Sequence, residues 1–184
     1  MKICWVLSEQ TKPDVVDIET LKDVAPTWGS CNTHRHYNVD NIVCCGYNKA
    51  SELITRNAHH TGNLYVPAQH FITLGQPADV NIYEGEFKSN DINHKDDIIA
   101  LNLVIQNYDI VLLLGFSLAK PKSKNELDIH KQNAYLHNIK TIINDNKDTQ
   151  FVIINYRGKL SKEFSDLENL SRDSLINTVG LLTS

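Results

Sequence analysis

No stretch of this 184-residue chain approaches the roughly 18 consecutive apolar residues that a membrane-spanning helix needs. The apolar Ile3–Leu7 passes straight into Ser-Glu-Gln-Thr-Lys-Pro-Asp, without the build of a signal peptide. Both absences lead to the expectation of a soluble, cytoplasmic protein with no membrane partner. Basic charge is not in excess either: the net charge is −4 and the pI is near 6.0. An extended duplex of nucleic acid, held through many phosphates, is therefore not the expected partner, whereas a small anionic ligand is. Also missing are a G-x-G-x-x-G turn, a Walker lysine, a Gly-x-Ser-x-Gly elbow and a nucleophilic cysteine motif. The first two absences disfavour dinucleotide and P-loop triphosphate binding. No internal repeat or low-complexity tract divides the chain. With 41% hydrophobic and 22% charged residues it can bury one full core, so residues 1–184 are expected to form a single domain.

Most informative is what lies between Asp96 and Gly115. Asp-Asp-Ile-Ile-Ala-Leu-Asn-Leu-Val-Ile-Gln-Asn is an apolar helix pattern, and Tyr-Asp-Ile-Val-Leu-Leu-Leu-Gly is an apolar run of strand length. A strand that is apolar on both faces belongs in a parallel sheet covered by helices on each side. Further strands are predicted at Lys2–Leu7, Asn41–Cys45, Asn63–Val66, Val80–Tyr83 and Gln150–Tyr156. Between them, helical spacing recurs at Val16–Val24, at Ala50–Ala58 behind an Asn48 cap, and at Leu127–Ile143 behind a Ser123-x-x-Glu126 capping box. Asn93–Asp96 can cap the apolar helix. The stretch Thr27–Asp40 has no period and reads as a loop, and Leu160–Leu182 as one or two closing helices. About six strands interleaved with four to six helices predict a three-layer α/β fold: a mainly parallel sheet with helices on both faces and Asp109–Leu114 in its middle.

In such a sheet ligands sit beyond the carboxyl ends of the strands, where loops converge with helix N-termini. This selects Ser8, Gly46, Asn48, Gly115 and Ser117 as ligand-binding candidates, with Tyr47, Phe116, Asn155, Tyr156 and Arg157 at the same edge. Gly46 and Gly115 either let a ligand approach the backbone or are turn glycines. His34, Arg35 and His36, on the loop above, are expected to supply positive charge for a phosphate or carboxylate. The alternative is a solvated loop.

Cys31, His34, His36, Cys44 and Cys45 have the chemistry of zinc ligands, but the spacing fits no standard finger. Adjacent Cys44 and Cys45 in a strand must face opposite ways, which leaves fewer than four ligands, so no metal is expected. Cys4 and one of the pair should pack as small apolar groups. His59-His60 reads as a helix end. Among acidic residues, Asp96 and Asp97 are explained by helix capping and the helix dipole, Asp109 stands at the amino end of its strand, and only Glu84 and Glu86 flank a carboxyl end. Catalytic residues and a cofactor are not assigned.

The segment 97–117, with its helix, its Tyr-Asp-Ile-Val-Leu-Leu-Leu-Gly-Phe strand and polar loop, resembles the late half of the Rossmann-like fold of small bacterial sialyltransferases and hydroxymethylpterin-pyrophosphokinase-like proteins. Those families carry a Gly-rich nucleotide loop where this chain has Ser8-Glu9-Gln10-Thr11. Trp28-Gly29-Ser30, Asp40-Asn41-Ile42-Val43 and Asp109–Phe116 are similar to small proteins of tailed phages, which implies an accessory role in host or nucleotide metabolism. The expectation is a protein that binds a nucleotide or nucleotide-sugar ligand as a transferase or hydrolase. The alternative is a non-enzymatic accessory protein that binds a host protein or forms a homo-oligomer through Trp28, Tyr37, Phe71 and Phe116.

Overall fold

The computed structural model describes residues 1–11, 17–56, 62–84, 95–119, 123–154 and 160–183. Among these residues eight strands form one sheet in which every pairing is parallel. They are β1 Ile3–Leu7, β2 Thr27–Ser30, β3 Asn41–Val43, β4 Asn63–Pro67, β5 Val80–Tyr83, β6 Ile110–Leu114, β7 Gln150–Ile154 and β8 Leu170–Asp173, in the spatial order β5-β4-β3-β2-β1-β6-β7-β8. The order reverses between β1 and β6. Helices α1 Ile18–Val24, α2 Cys31–Tyr37, α3 Tyr47–Thr55, α4 Ala68–Thr73 and α8 Leu175–Thr183 lie on one face, where Leu21, Tyr37, Leu53, Phe71 and Val179 pack with Trp5, Leu7 and Ile42. On the other face α5 Lys95–Val104, α6 Glu126–Asp145 and α7 Lys162–Ser165 pack against Cys4, Val6, Val43, Val111 and Leu113. This is the three-layer, Rossmann-like α/β architecture.

The strand read as central is interior and buried on both sides: Leu112 belongs to one core and Leu113 to the other. Helix α5 buries Ile98, Ile99, Ala100 and Leu101 in succession because the sheet, α6 and the connections around it enclose it. α6 turns Tyr135, Leu136, Ile139, Ile142 and Ile143 inward.

Several local expectations are corrected. Thr27–Asp40 is not a loop but β2 followed by α2; Asp40 accepts hydrogen bonds from Thr27 N–H (2.9 Å) and Oγ1 (2.7 Å), which closes the unit. β8 lies inside what reads as closing helices, and α4 follows Pro67 directly. Helix α3 is capped by Gly46 rather than Asn48. α6 is capped by Asn125, whose Oδ1 accepts from Leu127 N–H at 2.9 Å and Asp128 N–H at 3.4 Å, so the box read at Ser123 and Glu126 is displaced. Leu127 sits in that exposed first turn and is 59% accessible. Among the described residues no helix is long and apolar enough to cross a membrane.

Candidate functional site

The reversal between β1 and β6 creates a crevice at their carboxyl ends, the usual ligand position in an open α/β sheet. Here the chain fills it with its own turn. Ser8 N–H donates to Leu114 O at 2.9 Å, Thr11 N–H to Ser8 O at 3.0 Å, and Thr11 Oγ1 to Leu114 O at 3.0 Å. Gly115, at φ +78°, lies against Thr11; a Cβ there would meet Thr11 Cα and N at 2.8 Å. Its missing side chain admits Thr11 and the left-handed turn.

The polar concentration lies beside this turn, above β1, β2 and β3. Asp96 and Asp97 open α5, and both are buried (9% and 1% accessible). Both stand in the first turn of α5, where the helix dipole favours acids, and their side chains also reach the strand ends, a use the helix-start reading does not include. Asp96 Oδ1 accepts from Cys45 N–H at 2.9 Å, and Oδ2 from the Cys31 thiol at 3.3 Å. Asp97 Oδ2 accepts from Ser8 Oγ at 2.8 Å and from Tyr135 Oη of α6 at 3.5 Å. Asp97 Oδ1 is buried with no hydrogen-bond partner within bonding geometry among the described residues, while the Glu9 backbone N–H nearby favours the charged carboxyl. Half-buried Glu9 is held by Asn32 Nδ2 at 3.0 Å.

Desolvation is the largest influence on these acids, because burial penalises the charged form. It pushes Asp97 up to about 8, with Glu9 and Asp96 adding repulsion against the help of the Ser8 hydrogen bond. Asp96 is raised for the same first reason, opposed by its bonds from Cys45 and Cys31. Tyr135 is held well above the ordinary phenol range, by burial first and the Asp97 charge second. The Cys31 thiol is pushed up by its contact with the Cys44 thiol, then by burial and Asp96, while the Lys49 charge acts the other way. Cys45 is raised by burial and by Asp96. At neutral pH these thiols stay protonated, and they are poor nucleophiles.

The other sequence candidates scatter. Gly46 starts α3 at φ −92°, with open space where a Cβ would stand, so neither strain nor close packing calls for glycine. Asn48 is exposed in the first turn of α3, and Ser117 is half-buried after β6. His34, Arg35 and His36 occupy the last turn of α2, away from the carboxyl edge at which that helix begins. Arg35 is spent on Glu52 of α3 at 2.8 Å, and His34 is buried. Glu84 is exposed at the end of edge strand β5. Glu86, the Asn93 cap, Ala58, His59, His60, the lysines at 120 and 122, Asn155, Tyr156 and Arg157 lie outside the described residues. Asp109, at the amino end, accepts from Lys2 N–H at 2.6 Å.

Cys44 and Cys45 do face opposite cores, and Cys4 is fully buried. Among the described residues no group of three or more His, Cys, Asp or Glu is placed to hold a metal. Trp28, Tyr37 and Phe116 are 3–5% accessible and belong to the core rather than to an exposed surface.

The arrangement defines a doubly wound α/β protein with a buried acidic pair at the carboxyl edge of its sheet. No protein-family model matches the chain, and neither a curated protein nor a solved structure does.

Proposed function

We propose that this protein binds a nucleotide or nucleotide-sugar ligand at the carboxyl edge of its sheet and acts on it as a transferase or hydrolase. The observation that carries this reading is Asp97, a fully buried carboxyl beside the strand-order reversal, with one oxygen on Ser8 and the other without a hydrogen-bond partner among the described residues. A strongly perturbed acid in such a place is a catalytic candidate on physical grounds. Holding its proton up to about pH 8, Asp97 can donate it to a leaving oxygen or nitrogen on a sugar carbon. Glu9, partly open and positioned by Asn32, supplies a second carboxyl in a different environment. Two such carboxyls are what glycosyl hydrolysis and transfer use.

The cluster repels an anion placed directly on it, so in this reading the sugar lies over Glu9, Asp96 and Asp97. The phosphate goes to the first turn of α3, which has no side-chain cap and carries Lys49. That helix start takes over the role expected of Arg35 and His36. The test is a thermal-shift panel of nucleosides, nucleotides, sugar nucleotides and NAD, followed by turnover assays on whichever compound stabilises the protein. The expected result is stabilisation by a sugar-bearing phosphate, with turnover abolished in a folded Asp97→Asn variant. No shift with any member of the panel, or full turnover in Asp97→Asn, would overturn the reading.

A further inference from the structure

At the opposite edge of the sheet, beside the end of α5, Lys2, Trp28, Tyr65, Gln106, Asn107 and Tyr108 line a cavity of about 470 Å³. The volume falls within the range of small-molecule sites, about 300–1,000 Å³. Its flat walls are aromatic. Trp28 of β2 lies 5.0 Å from Tyr65 of β4 at a 38° tilt, and 6.5 Å from Tyr108, beyond α5, in an edge-to-face arrangement at 80°. Trp28 is 5% accessible, yet its indole N–H has no acceptor among the described residues. A buried indole N–H normally has one. The polar rim consists of Gln106 and Asn107, which follow α5, and exposed Lys2, which makes no ion pair among the described residues through its side chain.

We infer that this cavity is a second ligand site, for a planar heteroaromatic ring that carries an acidic group. The ring lies over half-buried Tyr65 and Tyr108, with the buried Trp28 beneath, and a ring nitrogen or carbonyl takes the unclaimed Trp28 N–H. The Gln106 and Asn107 amides, each both donor and acceptor, read the ring edge, while the acid meets Lys2. Aromatic walls alone also suit an ammonium cation, but Lys2 at the rim repels one. The site lies at the amino edge and does not depend on the carboxyl-edge chemistry of Asp97.

The chain has only two tryptophans, so labelling with 5-fluorotryptophan gives two fluorine resonances, assigned by comparison with Trp5→Phe. Indole-3-acetate and pterin-6-carboxylate are the probes. The expected result is a saturable displacement of the Trp28 resonance while that of Trp5, fully buried on the other sheet face, stays in place. Lys2→Ala, an exposed change that leaves folding intact, should weaken both acids roughly two- to fivefold and leave uncharged indole unaffected. Asp97→Asn should change neither affinity, which separates this site from the proposed catalytic one. No displacement at millimolar probe, a displacement of Trp5 instead, equal affinity in Lys2→Ala, or a larger response to tetramethylammonium than to the acids would each overturn the inference.

Discussion

Replacing Asp97 by Asn removes an ionisable group that the fold holds against its preference. The carboxyl is 1% accessible and its value is raised from 3.8 to about 8 by burial. The sign follows from proton counting. Between those two values the folded protein keeps a proton that the unfolded chain gives up, so the native state binds more protons and stability falls as pH rises. The penalty begins near pH 4, grows through neutrality and is complete above about pH 8. At pH 7, some three pH units above the ordinary carboxyl value, 1.36 kcal/mol per unit gives roughly 4 kcal/mol. Relaxation of the interior and entry of water reduce such penalties, so a loss of about 2–4 kcal/mol between pH 5 and pH 8 is expected.

Asparagine has nearly the same shape, and its carbonyl can still accept from Ser8 Oγ, which donates to Asp97 at 2.8 Å. The variant should therefore be more stable than the parent at pH 8, with a melting temperature higher by roughly 5–10 °C. Most of the pH slope should vanish. A remnant of the same sign should stay, because Asp96 is also raised by burial. The assay is chemical denaturation of both proteins at several values from pH 5 to pH 8, below the ordinary thiol value of 9.0 for Cys31 and Cys45. Parent stability that is flat or rises over this range would refute the reasoning. So would an Asp97→Asn variant destabilised by the same amount at every pH, which would mean that the carboxyl is held by partners that stabilise its charge.

Three further outcomes follow from the geometry. Gly115→Ala should cost about 2–4 kcal/mol in denaturant unfolding, since its left-handed turn and its contact with the Thr11 backbone both exclude a Cβ; Gly46→Ala, in open space at φ −92°, should stay within about 0.5 kcal/mol. Arg35→Ala should cost no more than about 1 kcal/mol, because its ion pair with Glu52 is half-exposed and Glu52 retains Arg56 at 3.0 Å; a ligand-induced thermal shift that disappears in this variant would return Arg35 to the binding site. Asn169→Ala should cost about 2–4 kcal/mol, since the buried Nδ2 donates to Ile143 O, Asn146 O and Thr149 O at 2.8, 3.0 and 3.1 Å, and unchanged unfolding would show that water replaces it.

Legibility in the sequence follows the range of the forces involved. β3, β4 and β5 are visible because short runs of strand formers are bounded by Gly, Pro or polar residues, and β1, β6 and β7 because a strand apolar on both faces states its burial locally. Thr27-Trp-Gly-Ser does not, since its order comes from Asp40, 13 residues away, and from its neighbours in the sheet. β8 is polar and at the edge, and the leucines around it imitate helical spacing. For Arg35 and His36 the unseen helix α2 made the difference: as a loop, Thr27–Asp40 would carry them over the site, whereas as a helix it carries them away from the carboxyl edge.

Asp96 and Asp97 show why site chemistry is harder to read than fold. Two aspartates at a helix start are what capping and the dipole favour, and no local rule separates that use from a buried one. The partners that reassign them are remote: Cys45 is 51 residues from Asp96, Cys31 is 65, and Ser8 is 89 from Asp97. One local signal does remain. Ile98-Ile99-Ala100-Leu101 follows directly, and four consecutive apolar residues cover every side of a helical turn, so that turn must be enclosed. A helix enclosed within one residue of its first acids has no room to point both of them at solvent. A buried carboxyl without an ion pair must then be stabilised by hydrogen-bond donors or keep its proton. Asp96 goes part of the way along the first course through its bonds from Cys31 and Cys45, although burial still raises it, and Asp97, with one oxygen lacking a partner among the described residues, takes the second.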